Sequence, residues 1–273
     1  MDQNGYNNII TEGYTKWFFN YIAKLWGINL EFPFAMPFII PRLLRLNIRT
    51  GKISKYWLDR GVPTGFDSAC YPPFDMFSLI RSMESFFYDL FDCPELVEKA
   101  SRTALKGIIR FAKMPLRFGS GGVNKKICIY PMRSSASFIS PGIFERFSFP
   151  FLKEMVEAFW SEGIISVLHC DGNWVPMLKY FRELPQKSCI VELDEQTDIF
   201  YAKSILGDHL CIKGNVSSPL LAFGKKEDIS EYCCKLISEV GRGGGFILST
   251  GCEVPLNAKE ENVKAIVDAV REH

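Results

Sequence analysis

The 273-residue chain is poor in histidine, with 3, and carries no surplus of charge: 32 Lys and Arg stand against 31 Asp and Glu, a formal net charge of +1. A balance this even gives no electrostatic footprint for nucleic acid or an anionic membrane surface. There is no Cys-x-x-Cys pair among the 9 cysteines. Their odd number, and the placement of Cys128, Cys189 and Cys211 inside apolar runs, suit small buried side chains in a reducing compartment rather than a disulfide framework. The opening Met-Asp-Gln-Asn-Gly-Tyr has no basic stretch leading into an apolar core, so no secretory leader is read there. Long apolar runs are missing too. The richest, Phe32 to Leu46, is broken by Pro33, Pro37 and Pro41 and carries Arg42 and Arg45. A soluble cytoplasmic protein is expected, with neither nucleic acid nor membrane as partner.

What is present is a core. Hydrophobic residues make up 47% of the chain, enough for one barrel-sized α/β domain. Short apolar runs predict strands at Pro63–Ala69, Lys126–Met132, Ile164–Leu168, Ser188–Leu193, Leu210–Lys213 and Phe246–Ser249. Amphipathic stretches predict helices at Phe77–Phe91, Pro94–Phe111, Pro141–Ser161, Trp174–Glu183, Thr197–Leu206, Asp228–Val240 and Ala258–Glu272. Within Pro141–Ser161, Phe144, Phe147, Phe151, Met155, Ala158 and Phe159 recur at helical spacing and mark a core-facing stripe. Alternating strands and helices imply a parallel sheet. Two glycine-rich pieces, Gly119-Ser120-Gly121-Gly122 and Gly241 to Gly245, precede strands. Phosphate-cradling loops follow strands instead, so these read as helix caps and turns.

Parallel α/β proteins keep their chemistry at strand ends. The run Ile164–Leu168 leads straight into His169-Cys170-Asp171-Gly172-Asn173, and Phe246–Thr250 leads into Gly251-Cys252. Two distant segments thus offer an imidazole, a carboxylate and a thiol from equivalent positions, and His169, Asp171 and Cys252 suit a zinc ion with an open fourth site. The competing reading is ordinary packing, a hydrogen-bonded histidine and a small buried cysteine. If the site is real, its donor atoms should approach within about 3 to 4 Å.

From about Gly61 onward the chain resembles the uroporphyrinogen decarboxylase superfamily, and its corrinoid-linked methyltransferase branch more than the decarboxylases proper. The matching pieces occur in order: Pro72-Pro73-Phe74-Asp75 with Arg81 and Asp89 to Glu95; Ile139-Ser140-Pro141 with Phe144 and Phe147; Leu168 to Asn173; Gly214-Asn215-Val216; and Gly244 to Ser249 running on to Glu261-Asn262-Val263. Two departures stand out. The zinc methyltransferases of this family carry His-x-Cys, whereas Asp171 holds the place of that cysteine, which keeps the ligand charge while making the set harder. The Arg-rich opening with which the decarboxylases hold substrate carboxylates has no counterpart, which argues against porphyrin decarboxylation.

The resemblance implies a (β/α)8 TIM-barrel-like fold. Six strands are read where eight are needed, so either two are missed or the chain starts inside the fold, with residues 1–60 a helical and loop remainder before a barrel domain at 61–273. It also implies a zinc-dependent methyltransferase acting between a corrinoid, carried by a partner protein, and a small thiol or methylated substrate. On that reading Glu192 and Asp194, at another strand end, are candidates to orient ligand or substrate, or else helix N-caps. Arg133, after the strand Lys126–Met132, suits a substrate carboxylate or a surface ion pair. Two alternatives stay open: a carboxy-lyase built on the same barrel, and a truncated, inactive family member that serves as a binding module.

Overall fold

The computed structural model describes residues 1–118 and 125–272. Six strands lie in sequence order in one open parallel sheet: β1 (Ser68–Cys70), β2 (Lys126–Ile129), β3 (Ile165–Cys170), β4 (Cys189–Leu193), β5 (Cys211–Val216) and β6 (Phe246–Thr250). Five of the six predicted strands form in place, whereas of Pro63–Ala69 only the last two residues are in a strand, β1 being Ser68–Cys70. The sheet ends at β1 and β6 and does not close into a barrel. The chain divides within β2 into two compact units, Met1–Cys128 and Ile129–His273. Among the described residues, no helix is long and apolar enough to cross a membrane.

The first unit is mainly helical: α1 (Asn4–Glu12), α2 (Tyr14–Leu25), α3 (Met36–Leu58), α4 (Pro73–Ile80), α5 (Met83–Asp92) and α6 (Pro94–Phe118). The single helix expected over Phe77–Phe91 is two, because Ser82 takes a left-handed φ of 75° and caps the second helix through its hydroxyl. A buried carboxylate ties its ends together. Asp89 accepts hydrogen bonds from Arg81 Nε at 2.8 Å, Tyr6 Oη at 3.0 Å and Gln3 Nε2 at 3.1 Å. Helix α3 buries Ile39 against Ala23 and Ala35, yet its later apolar positions face solvent, with Leu46 and Ile53 each 60% exposed.

In the second unit, helices α7 (Pro141–Ile143), α8 (Phe149–Trp160), α9 (Leu178–Phe181), α10 (Ile199–Leu206), α11 (Ser218–Phe223) and α12 (Lys226–Lys235) lie between the strands, and α13 (Glu260–Glu272) follows β6. The stretch predicted as one helix at Pro141–Ser161 carries a π-helical turn at Phe144–Ser148, and its apolar stripe is buried except for Ala158, which is half-buried. Gly243, Gly244 and Gly245 adopt left-handed φ values in the turn before β6. The Gly119–Gly122 piece lies outside the described residues. Parallel register sets His169 of β3 beside Glu192 of β4, and Glu192 beside Lys213 of β5. Residues paired across parallel strands project from the same face, so a row of ionisable side chains crosses the sheet.

Candidate metal centre

His169 lies one residue before the C-terminal end of β3, and Asp171 follows directly after it. The turn that presents Asp171 needs a glycine next, for two reasons. Gly172 has φ of +88°, and a Cβ there would meet the Ser135 and Ser137 hydroxyls at 2.8 Å. Behind the turn sits a buried aromatic group. The fully buried Trp174 ring packs 5.9 Å from Phe144 and 5.5 Å from Phe181, and its Nε1 donates to the Asp171 carbonyl at 2.9 Å. Burial of an indole stabilises by about 2 to 3 kcal/mol, which anchors this loop to the core.

Cys252 comes from the turn after β6. Gly251 donates its N–H to the Val216 carbonyl at 3.0 Å, and the Thr250 hydroxyl donates to the Cys252 carbonyl at 2.6 Å. The two segments meet, although 83 residues separate His169 from Cys252. Cys252 Sγ lies 3.8 Å from His169 Nε2, and Asp171 Oδ1 lies 3.3 Å from the same nitrogen. One ligand atom from each residue falls within 4.8 Å of the others. Asp171 Oδ1 is buried and receives no well-aligned hydrogen bond, His169 Nε2 at 3.3 Å being its ion-pair partner, so it keeps lone-pair capacity to face a cation. With bonds of roughly 2.0 to 2.3 Å to zinc, such spacings suit neighbouring ligands around one ion. The donor set fits a divalent metal.

The other face of the imidazole is occupied as well. His169 Nδ1 lies 3.4 Å from Glu192 Oε2, while Lys213 Nζ donates to Glu192 Oε1 at 2.8 Å. The Asp171 carboxylate and then that of Glu192 push His169 up to about 10 against the opposing effect of burial. Burial works to raise Glu192, but His169 and Lys213 hold it below the usual carboxylate range. A carboxylate behind the Nδ1 of a ligand histidine sets its tautomer and ring orientation. The Tyr130 ring meets His169 edge-on at 5.4 Å.

His169, Asp171 and Cys252 are therefore brought together, with Glu192 behind them. Asp194 takes a different place: its Oδ2 accepts from Gly172 N–H at 2.6 Å and its Oδ1 from Gln196 N–H at 2.9 Å. Burial pushes its carboxyl up against those two donors. The N-cap of α10 is Asp198. Arg133 sits half-buried in the segment after β2. Sequence reasoning did not single out Lys213, although a lysine ending an otherwise apolar strand was a usable signal. It also passed over Tyr130 and Thr197, whose roles depend on contacts across strands.

Known proteins resemble this chain in part. A uroporphyrinogen decarboxylase of Pseudoalteromonas atlantica is 27% identical over 143 residues, 50% of this chain and 38% of that protein. Arabidopsis thaliana uroporphyrinogen decarboxylase 2, chloroplastic, is 30% identical over 141 residues, 51% of this chain and 34% of that protein. Among solved structures, a methyltransferase from Methanosarcina mazei superposes with a TM-score of 0.64 at 25% identity, covering 75% of this chain and 57% of that one. The chain thus spans little more than a third of the length of these two decarboxylases and about half that of the methyltransferase. A family model described as uroporphyrinogen decarboxylase (URO-D) matches residues 64–273, well over half of the sequence, and on that match the chain belongs to the uroporphyrinogen decarboxylase family.

Proposed function

We propose that this chain is a zinc-dependent methyltransferase that moves a methyl group between a corrinoid, carried by a partner protein, and a small thiol or methylated substrate. The domain at 61–273 carries the activity, residues 1–60 precede it as a helical segment, and the protein works in the cytoplasm. The observation that carries the reading is the convergence of His169 Nε2, Asp171 Oδ1 and Cys252 Sγ within 4.8 Å. The likeness to a Methanosarcina mazei methyltransferase supports it.

Zinc held by these three donors supplies Lewis acidity and keeps a bound thiol as its thiolate. The protein's own part is to present the donors. His169 offers its Nε2 while Glu192 takes the Nδ1 proton in a hydrogen bond and fixes the tautomer. Lys213 balances the Glu192 charge, so the carboxylate stays ionised behind the ring. Asp171 and Cys252 contribute one negative charge each, which against a divalent ion leaves a neutral donor set. Arg133 suits a substrate carboxylate.

A second reading, a carboxy-lyase, is favoured by the names of eight curated relatives, each a uroporphyrinogen decarboxylase at 24 to 30% identity. Metal analysis separates the two. The methyltransferase reading expects about one zinc per chain, lost in His169→Ala and Cys252→Ser, together with zinc-dependent demethylation of free methylcobalamin by an added thiol. Zinc-free wild-type protein that releases carbon dioxide from a porphyrinogen would overturn it.

A further inference from the structure

A residue that is no ligand joins the two segments that form the centre. We propose that Asp194 is its positioning residue: the side chain holds the turn that carries Asp171, and the backbone seats the turn that carries Cys252. The inference rests on the metal reading above.

On the β3 side, each carboxylate oxygen of Asp194 accepts one backbone N–H, and the shorter bond, 2.6 Å, comes from Gly172, the residue after Asp171. Thr197 in the same loop completes the clamp. Its hydroxyl donates to the Gly172 carbonyl at 2.7 Å and accepts from Trp174 N–H at 2.9 Å. On the β6 side, the contact is backbone against backbone. A Cβ added to Gly251 would lie 2.7 Å from Asp194 Cα and 3.3 Å from the Glu195 nitrogen, so the turn before Cys252 rests directly on this peptide. From β5, Asn215 Nδ2 donates to the Asp194 carbonyl at 3.4 Å, and Asn215 Oδ1 accepts from the Tyr232 hydroxyl at 2.6 Å. Asp194 is 6% exposed, so its bonds are shielded from water and exchange for nothing when broken.

Two ligands from segments 83 residues apart can share one ion only if both are held to a few tenths of an ångström, and loops reach that precision through such braces. Replacing the carboxylate by an amide leaves one buried backbone N–H facing an NH₂ group and frees the Asp171 turn. A methyl at Gly251 forces the Cys252 turn away from Asp194 while leaving every ligand residue chemically unchanged.

The test compares wild type, Asp194→Asn, Gly251→Ala and His169→Ala. Zinc affinity is measured by competition with a chromophoric chelator, on protein shown to be folded by a cooperative melt, and amide exchange at residues 171–174 is followed by mass spectrometry. Both Asp194→Asn and Gly251→Ala should lower zinc affinity roughly 10- to 100-fold. Faster exchange over 171–174 should accompany Asp194→Asn alone. A merely structural role would lower the melting temperature and leave the affinity of the folded fraction unchanged. Wild-type affinity in Asp194→Asn and Gly251→Ala, with His169→Ala unable to bind, overturns the inference and leaves the metal reading standing. A wild type that takes up no zinc overturns both, a result visible in the wild-type titration itself. Should Asp194→Asn fail to fold, Gly251→Ala decides.

Discussion

Asp171 is where the proposed zinc site can be tested most sharply, because the family resemblance puts a carboxylate where a cysteine ligand is expected. Replacing it by alanine removes one of three ligand atoms and one of two negative charges. Structural zinc sites release roughly 10 to 16 kcal/mol on binding, which shared over four ligands is about 3 to 4 kcal/mol each. Asp171→Ala should therefore weaken zinc binding by about 100- to 1,000-fold. Asp171→Cys restores both a ligand and its charge and should bind at least as tightly as wild type. Asp171→Asn keeps the shape and an oxygen but not the charge, and should fall between the two. Chelator competition at fixed pH and salt gives all three numbers on one scale. Equal zinc content and affinity in wild type and Asp171→Ala would refute the argument and give the buried Oδ1 another role.

Three further outcomes are expected. Glu192→Gln, which weakens the hold on His169 Nδ1 and leaves Lys213 without its carboxylate, should lower zinc affinity about 10- to 100-fold with intact ligands; an unchanged titration would show that the imidazole orients itself. In the first unit, burial works to raise Asp89, but Arg81, Gln3 and Tyr6 hold it below the ordinary carboxylate range. A native value depressed in this way contributes stability that is present above the unfolded value of about 3.9 and lost as pH falls through the native one. Asp89→Asn should cost about 1.5 to 3 kcal/mol at neutral pH and flatten the acid limb of the unfolding curve, and a mutant with the wild-type acid limb would count against this. The exposed apolar stripe of α3, Leu43, Leu46, Ile53 and Trp57, should drive association at high protein concentration, so the double variant Leu46→Glu, Ile53→Glu should sediment as a smaller species. Identical sedimentation would clear α3 of that role.

Local pattern carried five of the strands and the three candidate ligand residues, and longer-range geometry carried the rest. Strands such as Ile165–Cys170 and Phe246–Thr250 are legible because a short apolar run bounded by polar residues has few other folds open to it. His169, Asp171 and Cys252 were legible because their residue types are rare together and each follows such a run. The break at Ser82 was not, since a left-handed serine has no compositional signature. Nor were the π-helical turns at Phe144–Ser148 and Leu236–Val240, which keep the apolar content of an ordinary helix. Lys213, Thr197 and the clamp on Gly172 depend on which residue of one strand lies beside which residue of the next, and register is set by the packed sheet rather than by any one segment. Asp194 was legible by its place at a strand end, as a group to orient ligand or substrate or as a helix N-cap, but that both its oxygens accept backbone N–H groups depends on contacts that only the fold supplies.

That Cys252 stands just past the last strand has a consequence in time as well as in space. During synthesis, His169 and Asp171 leave the ribosome long before residues 246–252 exist, and at roughly 5 to 20 residues per second the delay amounts to about 4 to 16 s. Through that interval an imidazole and a carboxylate are all that the nascent chain offers, too few donors to outcompete the cell's other ligands. An ion at this centre would therefore be acquired only after residues 246–252 have been made and β6 has docked on β5.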